Sequence, residues 1–201
     1  MFLECGRGVR VHRALRLHAR DGEPHDDSPA FQRWVFDDIK PSSPGRDDRN
    51  STLMHSFTSC LVHCVWSTKG REPCLTADLR ERLWPYLGGI AKQNQMKALA
   101  NGGASDHVHV LLSLPATLSI AKAMQLLKGN SSKWLRETFP KMNSFAWQEG
   151  YGAFSVSISG VDATVAYIRN QAEHHRTRSF REEYATMLKK HGFVLEESML
   201  A

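Results

Sequence analysis

Apolar and polar positions change period several times after the first quarter of the chain, and each change marks an element. Ser56–Ser67 (SFTSCLVHCVWS) alternates and is rich in Val, Cys and aromatics, which predicts a strand. Thr76 then caps a helical stretch, ADLRERLWPYLGGIAKQN, in which Leu79, Leu83, Leu87 and Ile90 recur at helical spacing. Pro85 predicts a kink in it, and Gly88-Gly89 weakens it. Met96–Ala100 and His107–Leu114 predict two strands joined by a glycine-rich hairpin turn, NGGASD. Ser119–Phe139 predicts a helix with Ile120, Met124, Leu127, Trp134, Leu135 and Phe139 as its apolar side and a break at Gly129-Asn130. Phe154–Ser159 predicts a fourth strand, and Asp162–His175 and Phe180–His191 two more helices. The order β-α-β-β-α-β followed by two helices is that of an α+β, ferredoxin-like split βαβ fold. It places an antiparallel four-stranded sheet under helices on one face, with a C-terminal helical addition.

Residues 1–53 show no such period. GEPHDDSP, KPSSPGRDDRNS and the arginines around Arg13 read as a poorly structured leader or an upstream extension, with FQRWVFDDI (Phe31–Ile39) as a short run able to pack locally. Met54 is then the expected start of the functional domain, 54–193, and 194–201 a tail.

Charge sharpens this division. Residues 1–53 carry nine basic and nine acidic side chains, so the net +5 of the 201-residue chain resides entirely in the remainder. A basic domain leans towards an anionic partner such as nucleic acid. Four cysteines (Cys5, Cys60, Cys64, Cys74) are too few for a disulfide scaffold and lack zinc spacing, which fits a reducing cytoplasm. No run of apolar residues is long enough for a transmembrane helix, and the arginine-rich N-terminus lacks the apolar core of a secretory signal.

Two segments carry candidate chemistry. In DHVHVLL (Asp106–Leu112) the strand period puts His107 and His109 on one face and Val108, Val110 and Leu112 on the other, towards the core. Neighbouring imidazoles can ligate a divalent metal, although a half-buried strand carrying two histidines by chance has the same pattern. In VDATVAYIRNQAEHH, Val161, Val165, Ile168 and Ala172 form the apolar stripe, and Tyr167 lies roughly opposite it with Gln171 one turn on. A phenol there can be a nucleophile and the amide oxygen a hard metal ligand; the competing reading is a surface tyrosine with solvated neighbours.

Six segments together resemble a known family: HCVWSTKGR, LWPYLGGIAKQ, SDHVHVLLSLP, LLKGNSSKWL, WQEGYGAFSVS and YIRNQAEHH. In order and spacing they resemble the HUH-type (His-hydrophobic-His) single-strand DNA transposases with one catalytic tyrosine, carried by small bacterial insertion sequences, and their domesticated relatives that act on palindromic repeats. The resemblance spans about Met54 to Phe193. It implies that His107, His109 and Gln171 hold magnesium or manganese, and that Tyr167 attacks single-stranded DNA to give a 5′-phosphotyrosine and a free 3′-hydroxyl, with no nucleotide cofactor. It further implies DNA contacts from Lys69 and Arg71 and from Lys128, Asn130, Ser131, Ser132 and Lys133, hairpin DNA as partner, no membrane, a nucleoid-associated cytoplasmic location, and a homodimer in which one chain's tyrosine helix serves the other chain's histidines. Trp66, Trp134 and Trp147 are expected in the core, and His63, His174 and His175 remain open between site and surface. No general base for the phenol is visible in the sequence. The alternatives are a domesticated repeat-processing tyrosine nuclease and a non-catalytic nucleic-acid-binding module; the latter lacks the paired aromatic strands of an RNA-recognition fold.

Overall fold

The structure is a computed structural model in which residues 57–194 are described, all inside the unit Met54–Ala201. The expectations placed on the leader, on FQRWVFDDI and on the tail beyond Val194 lie outside the described residues.

Strands β1 (Leu61–Ser67), β2 (Lys97–Gly103), β3 (His107–Ser113) and β4 (Gly152–Ser155) form one sheet in the order β2-β3-β1-β4. Every neighbouring pair is antiparallel, so β3 is inserted between β1 and β2, which is the split βαβ arrangement. Helices α1 (Ala77–Gln93) and α2 (Ile120–Thr138) follow β1 and β3, and α3 (Val161–Arg169), a single turn α4 (Gln171–His174) and α5 (Phe180–Lys190) follow β4. No helix among the described residues is long and apolar enough to cross a membrane.

Strand alternation divides the core in two. Val62, Cys64 and Trp66 of β1 and Val108, Val110 and Leu112 of β3 pack against Leu79, Leu83, Leu87 and Ile90 of α1 and Met124, Leu127 and Leu135 of α2. The other sheet face carries Val65, which joins Phe154, Phe180 and Leu188 in a second cluster under α5. The one-sided helical layer therefore holds for α1 and α2, while the C-terminal helices cover the opposite face.

Several boundaries differ from expectation, each for a local reason. β1 starts at Leu61 rather than at 56, because Leu61 pairs with Ser113, the last residue of β3. The NGG of the expected turn belongs to β2, with Asn101, Gly102 and Gly103 paired to Val110, His109 and Val108, so the connection is only Ala104–Asp106. α2 runs through Gly129-Asn130 without a break, its start capped by the Ser119 side chain accepting from the Lys122 amide. α1 likewise runs through Pro85 and Gly88-Gly89. β4 covers Gly152–Ser155 instead of 154–159, since only Val62–Val65 of β1 face it.

Gly102 decides how closely α3 approaches the sheet. A Cβ on it would lie 2.2 Å from the Ile168 carbonyl oxygen and 2.8 Å from Ile168 Cγ2. Only a hydrogen fits there, and Ile168 is fully buried by that contact. Gly129, by contrast, has nothing within 4 Å of its would-be Cβ and sits inside α2. Gly102→Ala should therefore destabilise the domain by about 2 kcal/mol or more. Gly129→Ala should stabilise it by roughly 0.5–1 kcal/mol. Urea unfolding of both variants checks the sign of each.

Candidate active site

The pleat of β3 turns His107 and His109 onto the face opposite α1 and α2, and both are completely buried there. A different neighbour holds each ring. Asp106 Oδ1 accepts from His107 Nδ1 at 2.7 Å, which turns Nε2 of the ring away from Asp106 and towards the C-terminal helices. His63 comes from β1 on the same face, and its Nε2 shares one hydrogen with His109 Nδ1 at 3.0 Å. With that hydrogen on His109, its Nε2 is an open lone pair; this atom is buried and has no hydrogen-bond partner. Burial, reinforced by the adjacent His109, pushes His63 down to about 3, and burial brings His109 to about 4, so both rings are neutral at pH 7.

The C-terminal helices close over this pair. Tyr167 stands on α3 with its ring edge-on to His109 at 5.9 Å and to His63 at 6.1 Å. The helix expected over 162–175 is interrupted at Asn170, where α3 ends and α4 begins. That interruption changes the phase: Gln171 takes the buried position, and Ala172, expected in the apolar stripe, is exposed. Gln171 Oε1 lies 3.3 Å from His107 Nε2. Tyr167, Gln171, His107 and His109 thus meet within the one chain described.

The centre of the cluster is a residue the sequence reading missed. Glu183 of α5 is 2 % exposed and accepts from the Tyr167 hydroxyl and, at 3.0 Å, from Gln171 Nε2. His175 Nε2 lies 3.0 Å from Glu183 Oε2, and His174 Nε2 3.9 Å from Oε1. His175 Nδ1 donates to the Arg178 carbonyl at 2.8 Å. The signal was available: in FREEYATMLKK the apolar positions Phe180, Tyr184, Met187 and Leu188 form a stripe, and Glu183 lies within it. A carboxylate in an apolar stripe needs partners.

The electrostatics follow from this packing. Burial raises the Glu183 carboxyl, but the imidazoles of His109 and His175 close to it and the Tyr167 hydroxyl outweigh burial and hold the group ionised, far below the usual carboxylate range. Burial lowers His175, and the Glu183 hydrogen bond and charge more than offset it, leaving His175 above its ordinary value. Burial and the anionic Glu183 push Tyr167 well above the usual phenol range. Metal-ligating atoms of His107, His175 and Glu183 all lie within 4.8 Å of one another. Together with the orphaned His109 Nε2 and the Gln171 amide oxygen, they form a nitrogen and oxygen donor set that suits a divalent cation. Beside the phenol, a cavity of about 300 Å³ is lined by His63, Tyr167, His174, Arg178, Glu183 and Lys190.

The expected DNA-contacting residues are divided. Lys69 is exposed just beyond β1, and Arg71 lies 5.9 Å over the Phe180 ring, which itself stacks on His107 at 4.3 Å. The α2 group is on the far side of the sheet from the histidines. Ser131 is buried there, bonding back to the Leu127 carbonyl and accepting from Trp147 Nε1. Asn130 and Ser132 also bond back to helix carbonyls, Lys128 spans to the Gln148 and Gly150 carbonyls, and Lys133 faces Glu137 at 3.9 Å. Ser131 therefore packs the core, and Lys128 braces the loop before β4. Trp66 and Trp147 lie in the core as expected, and Trp134 is half-buried, stacked on Tyr86 at 4.2 Å. Removing the His63 ring should free His109 to rotate. His63→Ala should then weaken Mn2+ binding by about 10–100-fold with little change in fold, as read by calorimetric titration and circular dichroism.

Comparison with known proteins assigns the chain to a family. Residues 56–171, more than half of the chain, match the family described as Transposase IS200 like. The transposase for insertion sequence element IS200 of Salmonella typhimurium is 27% identical over 130 residues, covering 62% of this chain and 85% of that protein. The ISDra2 transposase TnpA of Deinococcus radiodurans is 29% identical over 85 residues, 42% of this chain and 61% of that protein. Among solved structures, a REP-associated tyrosine transposase bound to a REP hairpin has a TM-score of 0.47 at 12% identity, covering 62% of this chain and 74% of that one. On the extent of the family match, the chain belongs to the IS200-like transposases.

Proposed function

We propose that this transposase cleaves and rejoins single-stranded DNA through Tyr167, using a divalent cation held by His107, His109 and Gln171. The observation that carries the reading is the meeting of a phenol, an amide oxygen and two inward imidazole nitrogens at one buried point.

The phenolic oxygen of Tyr167 bonds to a backbone phosphorus as the bond from phosphorus to the 3′-oxygen breaks. The products are a 5′-phosphotyrosine and a 3′-hydroxyl. The phenolic proton is released and the departing oxygen takes one up, so the exchange of one phosphate ester for another is proton-neutral. A second 3′-hydroxyl reverses the step and rejoins the strand. Bound magnesium or manganese would supply charge neutralisation at the phosphate oxygens. Before attack, Glu183 holds the phenol's hydrogen and fixes the direction of its oxygen. Asp106 and His63 hold the two imidazoles with their Nε2 atoms inward. Burial of this face keeps water from competing with the phenol. The phosphate enters through the cavity beside Tyr167, where Arg178 and Lys190 line the walls, and Lys69 and Arg71 take up the flanking backbone. The substrate is single-stranded DNA with a hairpin, and two chains act as a homodimer.

Incubation with labelled single-stranded hairpin DNA and Mn2+ tests the reaction. Wild type should give a covalent adduct that survives denaturation, and Tyr167→Phe none. His107→Ala and His109→Ala should lose the adduct while keeping most hairpin binding. Wild-type adduct in Tyr167→Phe would overturn the nucleophile assignment. Mixed Tyr167→Phe and His107→Ala chains test the expected sharing between chains: a restored adduct shows a site built from two chains, and none, with heterodimers formed, a site built within one.

Phosphate contacts have a separate signature. Lys69→Ala and Arg178→Ala should each weaken DNA binding about equally for all sequences and reduce the salt slope by about 1. Titrations at several salt concentrations read this directly, with Ser131→Ala, buried in the core, leaving the slope unchanged.

A further inference from the structure

We propose that Glu183 is itself a ligand of the metal, so that helix α5, which lies beyond the family-matched residues 56–171, completes the metal centre of this chain. The assignment deepens the metal-dependent reading above and rests on it.

The argument begins with hydrogens. Asp106 accepts the Nδ1 hydrogen of His107 and so turns Nε2 of that ring inward. That nitrogen faces Gln171 Oε1 at 3.3 Å and Glu183 Oε2 at 3.8 Å. His109 Nε2 faces Glu183 Oε1 at 3.5 Å, too far for a strong hydrogen bond, and is otherwise without a partner. His175 Nε2 reaches two of these acceptors, Gln171 Oε1 at 2.9 Å and Glu183 Oε2 at 3.0 Å, while the inward Nε2 atoms of His107 and His109 have only acceptors before them, an arrangement that a cation among them would stabilise. A cation held by those Nε2 atoms would have the Glu183 carboxylate beside it, 3.8 Å from His107 Nε2 and 3.5 Å from His109 Nε2.

Charge balance leads to the same residue. A buried carboxylate is costly unless opposite charge accompanies it. Among the described residues, the ion pairs recorded for Glu183 are all with histidines, and two of these, His107 and His109, are tied by Asp106 and His63 in the orientation of metal ligands. Two imidazoles with one carboxylate is a common donor set for first-row divalent metals, and the amide oxygen of Gln171 adds a hard donor suited to manganese or magnesium. Glu183 also fixes that amide: by accepting from Gln171 Nε2 it turns Oε1 towards His107.

A consequence follows for the fold. α5 reaches the sheet through Phe180 and Leu188 packing near Val65 and through Glu183 alone in the polar centre. Metal bound jointly by β3 and α5 would tie this terminal helix to the sheet, so binding energy should appear as protection of α5.

The full-length chain is titrated with Mn2+, and free ion is counted by electron paramagnetic resonance. Wild type and Tyr167→Phe should show the same tight site. Glu183→Gln, which keeps the shape and loses the charge, should lower its affinity at least about tenfold. Affinity of Glu183→Gln within twofold of wild type overturns the assignment. Should Glu183→Gln fail to fold by circular dichroism, hydrogen exchange of the wild-type chain decides instead. Saturating Mg2+ should slow the α5 amides at least about tenfold; α5 exchange identical with and without Mg2+ overturns the proposal. A wild-type chain that binds no Mn2+ overturns it as well. Intact Mn2+ binding without any DNA adduct counts against the tyrosine reaction and leaves the Glu183 ligand standing.

Discussion

The antiparallel pairing of β1 with β3 is the constraint on which the remainder depends. Its register sets Cys64 opposite Val110 and Val65 opposite His109, so Val62, Cys64, Val108, Val110 and Leu112 face α1 and α2 while His63, Val65, His107 and His109 face the other way. A one-residue slip would bury the histidines under α1 and α2 and expose the valines. The large apolar cluster with α1 and α2 therefore does more than stabilise the domain. It locks the register, and the register holds His63, His107 and His109 in one plane of the sheet.

Having a polar sheet face creates a second problem, which the C-terminal helices answer. Fully buried imidazoles need partners for every ring nitrogen. Neighbours in the sheet and its turn satisfy the outer nitrogens, and the inner ones are left for α3, α4 and α5. Those helices can approach only because Gly102 has no side chain where Ile168 sits. They bring a phenol, an amide and a carboxylate, and the carboxylate ties the other two together. The capping box formed by Ser179 and Glu182 fixes the start of α5, three residues before the buried carboxylate. In this arrangement a group that is inert by itself becomes directed: the phenol cannot rotate freely, the amide cannot flip, and the imidazoles present their inner nitrogens.

Much of this was legible in the chain because it depends on period alone. The two-residue alternation of DHVHVLL placed His107 and His109 together, and the helical spacing of Val161, Val165 and Ile168 placed Tyr167 on another side. The order of strands and helices likewise follows from where the period changes. The expected α2 cluster shows the opposite case. Gly129-Asn130 reads locally as a break with hydroxyls and amides free for phosphate, yet packing on the sheet keeps the helix continuous, and the same groups bond back to its carbonyls. Ser131 is hidden for a reason no local pattern holds, since its acceptor serves Trp147 from sixteen residues away.

By itself, the sequence determined which side chains share a strand or a helix face, because those relations are set by backbone geometry within a few residues. Only tertiary structure decided what meets across elements. His63 and His109 are 46 residues apart, and Glu183 lies 12 beyond Gln171 on a separate helix. Their encounter depends on sheet order, on the close approach at Gly102 and on the phase change at Asn170. None of these leaves a periodic trace, because each arises from contact between distant segments competing to fill the same space.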